Sequence, residues 1–419
     1  MTAAPKQSTF YGWRVVAASF VLAVFGWGLG FYGPPIYLHA VEEARGWPLA
    51  LVSTAVTVHF LVGAVFTANL PQLYGRFGVP AITKAGAVSL AGGVVGWAVA
   101  EAPWQLLVAT FFSGAGWIAM SAAAINAIIA PWFVRARPAA LSTAYNGASV
   151  GGVVFSPLWV AAITFLGFPA AAATIGVVTA VTVWVLADTV FAKTPLDMGL
   201  TPDGDAPGAA VTAPASAAKP LPGRLLWRNA QFLTLAAGMA LGLFAQIGLL
   251  AHLFSMLVPA LGAQAAGLAI GGATAAAIAG RTLVGWLMPA SADRRLVAVA
   301  SYVVQIVGVF ALFTAGGETI ALLLLGVFLF GAGIGNATSL PPLIAQVEFA
   351  KEDVPRVVAL IIAIAQATYA FAPAVFGLIR ELTGETAGAA PWLFAFAALI
   401  QVMAIMVFLA PHRRPWRID

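Results

Sequence analysis

The sequence predicts an all-α integral membrane protein with twelve transmembrane helices arranged as two pseudo-symmetric six-helix bundles. Hydrophobic residues make up 61% of the chain and charged residues 8%, whereas soluble domains are about 25% charged. The chain also contains repeated apolar stretches, each near the roughly 20 residues that a transmembrane helix needs. These stretches fall into two groups of six, separated by a polar segment that is rich in Ala and Pro.

We predict the twelve spans, numbered in order along the chain, at 15–38, 49–73, 79–100, 104–131, 138–165, 169–191, 231–259, 264–289, 296–315, 319–345, 355–380 and 388–410. The predicted domains are an N-terminal bundle at 1–193, a linker at 194–230 and a C-terminal bundle at 231–419. Composition of this kind predicts a mobile or partly ordered linker.

The distribution of basic residues predicts the orientation in the membrane. Nearly all Lys and Arg residues lie in the two tails and the even-numbered loops, while the odd-numbered loops contain only Arg45 and Arg380. Positive charge accumulates on the cytoplasmic side. We therefore expect a multi-pass protein of the bacterial cytoplasmic membrane with both termini in the cytoplasm.

Composition argues against several other function classes. The net charge of +5 comes from basic residues at helix ends, which does not indicate nucleic-acid binding. The chain has no Cys, and its four His residues lack metal-binding spacing. Since the spans contain neither paired acids nor an activated nucleophile, the sequence does not predict an enzyme, a cofactor or a metal site.

An internal repeat supports two related bundles. Phe111-Phe-Ser-Gly-Ala-Gly-Trp in span 4 parallels Phe328-Leu-Phe-Gly-Ala-Gly-Ile in span 10, and Pro157 in span 5 parallels Pro373 in span 11. Transporters built from parallel repeats place their substrate site near the midplane, between the two halves. We also predict hinges at the pairs Pro34-Pro35 and Pro341-Pro342, where a fixed kink is the alternative.

One cation lies inside an apolar stretch. Arg281 of span 8 has no Asp or Glu within ten residues on either side. An unpaired cation at bilayer depth costs about 2.5–3.5 kcal/mol on insertion scales, so its presence indicates a function. A guanidinium stays protonated and matches a carboxylate with two parallel hydrogen bonds, which predicts an anionic substrate. The alternative is an Arg281 side chain that extends toward the cytoplasmic membrane surface or caps carbonyl groups of a neighbouring helix.

Several motifs resemble the major facilitator superfamily, and within it the branch of monocarboxylate transporters and oxalate/formate antiporters. The resemblance covers nearly the whole chain outside the linker and rests on Tyr11-Gly-Trp-Arg, Gly46-Trp-Pro-Leu-Ala-Leu-Val-Ser, Trp132-Phe-Val-Arg-Ala-Arg-Pro, Tyr145-Asn-Gly-Ala-Ser-Val-Gly-Gly, Pro195-Leu-Asp-Met-Gly-Leu-Thr-Pro-Asp-Gly and Gly280-Arg-Thr-Leu-Val-Gly-Trp-Leu. It implies proton-coupled transport of a small monocarboxylate such as lactate, with Arg281 as the ligand of the substrate carboxylate.

Two positions depart from the family pattern. Relatives often carry an Asp four residues before the Arg of span 8, where this chain has Ala277. The loop between spans 2 and 3 reads Leu70-Pro-Gln-Leu-Tyr-Gly-Arg and lacks the usual Asp, although Asp293-Arg-Arg ends the second copy. A proton-carrying Asp is therefore missing from its usual place, and the nearest acids, Asp188 and Glu348, lie close to span ends.

The spans that line the cavity in this superfamily supply further candidates. The predicted substrate-binding residues are Arg281, Tyr145, Asn146, His252, Tyr32, Gln246, Asn336 and Tyr369, and the predicted proton-coupling residues are His59 and His252. For each polar residue, the alternative is an ordinary interhelical hydrogen bond, and for each His it is a neutral core residue. Phe31, Trp117 and Phe330 are candidates for the cavity wall.

The leading hypothesis is a secondary transporter of L-lactate or pyruvate with a proton, working by alternating access, functional as a monomer and surrounded by the lipid bilayer. The alternative is an exchanger of oxalate and formate or other organic anions. A dicarboxylate favours a second cation, but the middle of span 11 contains no Lys, and Arg380 lies at its outer end beside Glu381. A channel or receptor on the same fold remains open.

Overall fold

The computed structural model describes residues 10–205, 223–289, 291–350, 352–384 and 389–410. Its helices are α1 (Gly12–Gly30), α2 (Pro34–Arg45), α3 (Leu49–Phe77), α4 (Val79–Val99), α5 (Pro103–Ile118), α6 (Ala122–Ile129), α7 (Arg137–Leu166), α8 (Phe168–Leu186), α9 (Gly223–Leu226), α10 (Ala230–Leu261), α11 (Ala263–Leu287), α12 (Arg294–Ala315), α13 (Ile320–Glu348), α14 (Val354–Tyr369), α15 (Ala372–Leu382) and α16 (Pro391–Leu409). A π-helical turn, Ala187–Phe191, continues α8, and Pro202–Gly204 forms a 3₁₀ turn.

The described residues contain twelve segments that are long and apolar enough to cross a membrane. This confirms the predicted number of spans and the all-α membrane fold. Span 1 comprises α1 and α2, span 4 comprises α5 and α6, and span 11 comprises α14 and α15, whereas the short α9 is not a span. The middle of the predicted linker, 206–222, lies outside the described residues.

The helix breaks fit only part of the hinge prediction. Span 1 is interrupted just before the first Pro pair, because α1 ends at Gly30 and α2 begins at Pro34. Pro341 and Pro342 instead lie inside the continuous helix α13, so the hinge or fixed kink at that pair stays a prediction. Spans 4 and 11 are interrupted at 119–121 and 370–371, where no Pro pair announces a break.

Contacts divide the chain into two compact units. Unit 1 contains the described residues among 10–33, 65–155 and 162–205, and unit 2 contains 34–64, 156–161 and the described part of the chain after α9 begins. In unit 1, α4 packs against α5 and α8, and in unit 2, α12 packs against α13 and α16. These units do not follow the sequence halves, and the division at 193 and 231 stays a prediction.

Helix α10 is the central helix of unit 2. It contacts α11, α13, α14, α15 and α16, and 83% of its most apolar window is buried. A helix that is apolar on all sides satisfies its own backbone groups and can be surrounded by other helices. Polar side chains that occur on α10 must therefore find partners inside the protein.

Three of the motifs behind the family resemblance meet in unit 1. The ring of Tyr11 lies 5.3 Å from that of Trp132, and the ring of Trp13 lies 5.1 Å from that of Phe133. The carboxylate of Asp203 accepts hydrogen bonds from the backbone N–H groups of residues 134, 135 and 136, at 3.0, 2.8 and 3.1 Å. Asp203 thus ties the segment after span 6 to the start of α7.

Asp203 makes this contact sensitive to pH. Burial on its own would raise the pKa of Asp203, but the backbone donors and the charge of Arg135 lower it below its ordinary value. A carboxylate with a lowered folded-state pKa stabilises the fold above its unfolded pKa of about 3.9, and this contribution disappears as the pH falls through the folded value.

We expect Asp203→Asn to lower the free energy of unfolding by about 1–2 kcal/mol at pH 7, because hydrogen bonds to a charged acceptor are lost. The difference from wild type should shrink as the pH falls below about 4. Thermal unfolding of the purified protein at several pH values measures both effects. Asp197→Asn is the control, since Asp197 bonds only locally with Thr194. An equal loss in both variants would contradict the assignment.

Candidate functional site

Arg281 lies where α11 packs closely against α13. Gly280 fits there because a Cβ would collide with the backbone oxygen of Ala332, and at Gly335 a Cβ would meet the oxygen of Ala277 and come within 3.2 Å of the Cβ of Arg281. The half-buried Arg281 side chain makes no hydrogen bond or ion pair with any residue that the structure describes. Its guanidinium is therefore available to an anion.

The position of Arg281 along α11 differs slightly from the prediction. The helix ends at Leu287, earlier than the predicted end of the span at 289. Arg281 is therefore roughly 9 Å from the helix end at 1.5 Å per residue. The side chain approaches the end of the span more closely than the sequence suggests, but its Cβ still faces α13.

Tyr145 and Asn146 lie on α7 in unit 1. The hydroxyl of Tyr145 donates a hydrogen bond to the carbonyl of Ala122 at 3.0 Å, at the break in span 4. Asn146 is exposed, and its side chain makes no hydrogen bond within the described ranges. Tyr145 thus has a structural partner, and Asn146 is free to bind a ligand.

His252 lies on α10, fully buried, with partners for both ring nitrogens. Its Nε2 is 3.0 Å from the carbonyl oxygen of Pro373, and its Nδ1 is 3.4 Å from Nη1 of Arg380. The carbonyl can only accept and the guanidinium can only donate. The geometry therefore assigns a neutral imidazole with its proton on Nε2.

The environment of Arg380 differs from the one that the sequence suggested. Its side chain is 3% exposed, and Nη1 donates to Oγ of Ser255 at 3.0 Å as well as facing His252. The neighbouring Glu381 does not pair with it, because its carboxylate accepts the backbone N–H of Ala50 at 2.8 Å. Arg380 does lie near the end of α15, but its side chain faces His252 and Ser255 inside unit 2 and not Glu381.

Gln246 belongs to a buried amide cluster. Its Nε2 donates to Oε1 of Gln305 at 2.8 Å, and the same oxygen accepts from Gln401 at 3.1 Å. The cluster joins α10, α12 and α16, and Gln305 and Gln401 were not among the predicted site residues. Their signal in the sequence was the same as that of Gln246, namely a lone amide within an apolar span.

Asn336 lies in a tightly packed region inside unit 2. It is buried, and its Oδ1 has no hydrogen-bond partner among the described residues; the same holds for the hydroxyl of Tyr302. Both residues, together with Ser301, line a crevice that has no room for a water molecule. Asn336 follows Gly335 on α13, so it projects about 100° around the helix from the Arg281 side.

The remaining candidates lie in separate places. His59 is buried beside Phe60, whose ring lies 6.0 Å from that of Tyr369 at the break in span 11. Tyr32 lies in the break of span 1, with its ring 5.1 Å from that of Phe31. Tyr369 thus packs against the residue next to His59 in unit 2, while Tyr32 belongs to unit 1.

A groove of about 810 Å³ lies in unit 1, and none of the predicted site residues lines it. It is lined by α4, Phe112 and Trp184, and Lys84 lies in it, 2.7 Å from Asp188.

Within the described residues, no group of three His, Asp or Glu side chains has the arrangement of a metal site.

The sequence model of the Major Facilitator Superfamily matches the chain over residues 16–349. The chain belongs to this superfamily. The protein is therefore a multi-pass membrane transporter, and the predicted fold is confirmed. The curated proteins compared with the chain give no match.

Solved structures of the same superfamily fold resemble this transporter at low identity. A D-xylose–proton symporter has a TM-score of 0.74 at 14% identity, covering 98% of this chain and 100% of that one. A bacterial homologue of the human lysosomal transporter Spinster has a TM-score of 0.72 at 13% identity, covering 98% and 100%. The nucleoside transporter NupG has a TM-score of 0.71 at 14% identity, covering 96% and 98%. At these identities the likeness concerns the fold alone.

Proposed function

We propose that this transporter moves a small monocarboxylate, L-lactate or pyruvate, together with a proton by alternating access. The observation that carries the proposal is Arg281, a span cation with no described partner. A carboxylate would gain two charge-assisted hydrogen bonds from its guanidinium. One cation at the Arg281 position favours a substrate with one negative charge.

We infer proton coupling from the family resemblance, and the charge of the site limits how the protein changes conformation. Arg281 paired with one carboxylate is neutral, so the loaded protein can change conformation without an isolated charge in a low-dielectric environment. The empty site carries such an isolated charge. In the described part of the chain, the carboxylates nearest the spans lie at helix ends, such as Glu348. The proton must therefore travel on the substrate or on a His, and His59 and His252 are the candidates.

The halves 1–193 and 231–419 are the bodies that we propose to rock against each other, with 194–230 as the linker. Tyr145, Asn146, Tyr32, Gln246, Asn336 and Tyr369 remain the proposed lining of the site. We further propose that the protein works as a monomer in the bacterial cytoplasmic membrane, with both termini in the cytoplasm.

The alternative is an exchanger of oxalate and formate or of another organic anion. The buried side chain of Arg380 favours this function, because it supplies a second intramembrane cation that the sequence alone did not indicate. A dicarboxylate could pair with two cations, and exchange would need no proton.

We expect purified protein in proteoliposomes to take up radiolabelled L-lactate when an inward proton gradient is imposed. Uptake should saturate with lactate concentration and stop when an ionophore collapses the gradient. Saturable exchange of oxalate for formate without any gradient dependence would instead establish the exchanger. Uptake that does not saturate would indicate a channel and would contradict both carrier functions.

A further inference from the structure

The group formed by Arg380, Ser255 and His252 lies at the predicted outer end of unit 2, and the proposed transport cycle uses only its His252, as a candidate proton carrier. Arg380 of α15 donates to Ser255 of α10 at 3.0 Å, and its contact with Nδ1 of His252 is longer, at 3.4 Å. A carboxylate is a stronger acceptor for a guanidinium than a neutral imidazole, because the hydrogen bonds are charge-assisted on both sides. The contact between Arg380 and His252 is thus one that an anion can replace.

The cluster is covered by the outer half of span 2. Gly377 lets α3 approach α15, since a Cβ there would collide with the side chain of Ser53 and lie 3.4 Å from Cε1 of His252. On either side of this contact, Oγ1 of Thr57 accepts the N–H of Ala374 at 3.1 Å and Glu381 accepts that of Ala50. Separation of α3 from α15 would therefore expose His252.

We propose that Arg380, Ser255 and His252 form a carboxylate-capture site for the incoming anion, and the inference rests on the proposed monocarboxylate function. The anion pairs with Arg380 and Ser255 and displaces His252 from the guanidinium. Nδ1 of His252, released from the cation, then takes a proton from the outer solution and forms an N–H bond. Release of that proton on the other side restores the neutral imidazole, so anion capture and proton uptake are coupled.

Other charged groups face this cluster. His39 and Glu42 of α2 interact electrostatically with Arg380, and Glu381 follows it on α15. Glu42 attracts the guanidinium and so competes with the incoming anion. The chain also supplies a matched control cation, because Arg45 lies at the same predicted outer side but is exposed.

The test compares uptake into intact cells with uptake into everted vesicles, which present the outer and inner faces respectively. Arg380→Gln should raise the KM for lactate at the outer face by about tenfold, the loss of one charge-assisted interaction, and leave the KM at the inner face within twofold. The outer-face KM of Arg380→Lys should lie between that of Arg380→Gln and that of wild type. Arg45→Gln should change neither KM. An unchanged outer KM, or equal increases on both faces, would overturn the capture site.

His252→Gln tests the proton step separately. Gln can donate to the carbonyl of Pro373 but cannot carry a proton, so the variant should still exchange labelled for unlabelled lactate while losing gradient-driven accumulation. Accumulation at the wild-type level would overturn the role of His252. If wild-type protein transports no monocarboxylate at all, the proposed function itself fails, and this result is distinct from any failure of the variants.

Discussion

Replacement of Arg281 by Ala is expected to abolish monocarboxylate uptake. Removing one partner of a desolvated, hydrogen-bonded charge pair costs about 2–5 kcal/mol, which corresponds to roughly a 30-fold or greater loss of affinity. Proton-driven L-lactate uptake into proteoliposomes should therefore fall to the level of empty liposomes. Arg281→Lys should recover only part of it, because an ammonium keeps the charge but lacks the planar fork.

Thr282 provides the matched control for Arg281. It is the next residue on α11, and its hydroxyl bonds only to the carbonyl of Ile278 in the same helix, at 2.8 Å. Thr282→Val should keep uptake within twofold of wild type. The midpoint temperatures of thermal unfolding of the Arg281 variants should also stay close to that of wild type, since the guanidinium has no described partner to lose. Wild-type uptake by Arg281→Ala would exclude Arg281 from the site.

The fold could be predicted because each membrane span is a run of consecutive apolar residues, which the sequence shows directly. Every predicted span has its counterpart, and the ends differ mainly where helices run beyond the apolar core, as α13 does in reaching Glu348. Arg281 could be found for the same reason, since an isolated charge contrasts with its own neighbours. Both signals are local in sequence.

The parts of the site that depend on contacts between helices could not be predicted. Arg380 and Glu381 are adjacent in sequence, but successive residues on a helix point about 100° apart. One side chain therefore faces His252 while the other reaches Ala50. The amide cluster around Gln305 likewise depends on the packing of α10, α12 and α16, which no pattern within one span reveals.

The ion pair between Arg295 and Glu348 should give the largest change in stability. Arg295 is 2% exposed, and its Nε and Nη2 contact the two carboxylate oxygens of Glu348 at 2.6 and 2.7 Å. The same guanidinium donates to Oγ1 of Thr234 and to the carbonyl of Gln231, so it joins the ends of α10, α12 and α13. Glu348→Ala would leave a buried cation without this partner and is expected to cost about 3–5 kcal/mol.

Thermal unfolding in detergent measures this loss, and two comparisons make it specific. Asp188→Asn disrupts the pair with Lys84, which is half-exposed on the Asp188 side, and exposed pairs contribute only about 0–1 kcal/mol. The double variant Arg295→Met with Glu348→Leu removes both charges and should recover much of the stability, because apolar residues avoid the desolvation cost of the pair. If Glu348→Ala were no less stable than Asp188→Asn, the pair would not hold these helix ends together.

Since Arg295 lies in unit 2 but outside the proposed sites, loss of stability here should reduce the amount of active transporter and leave the KM for lactate unchanged.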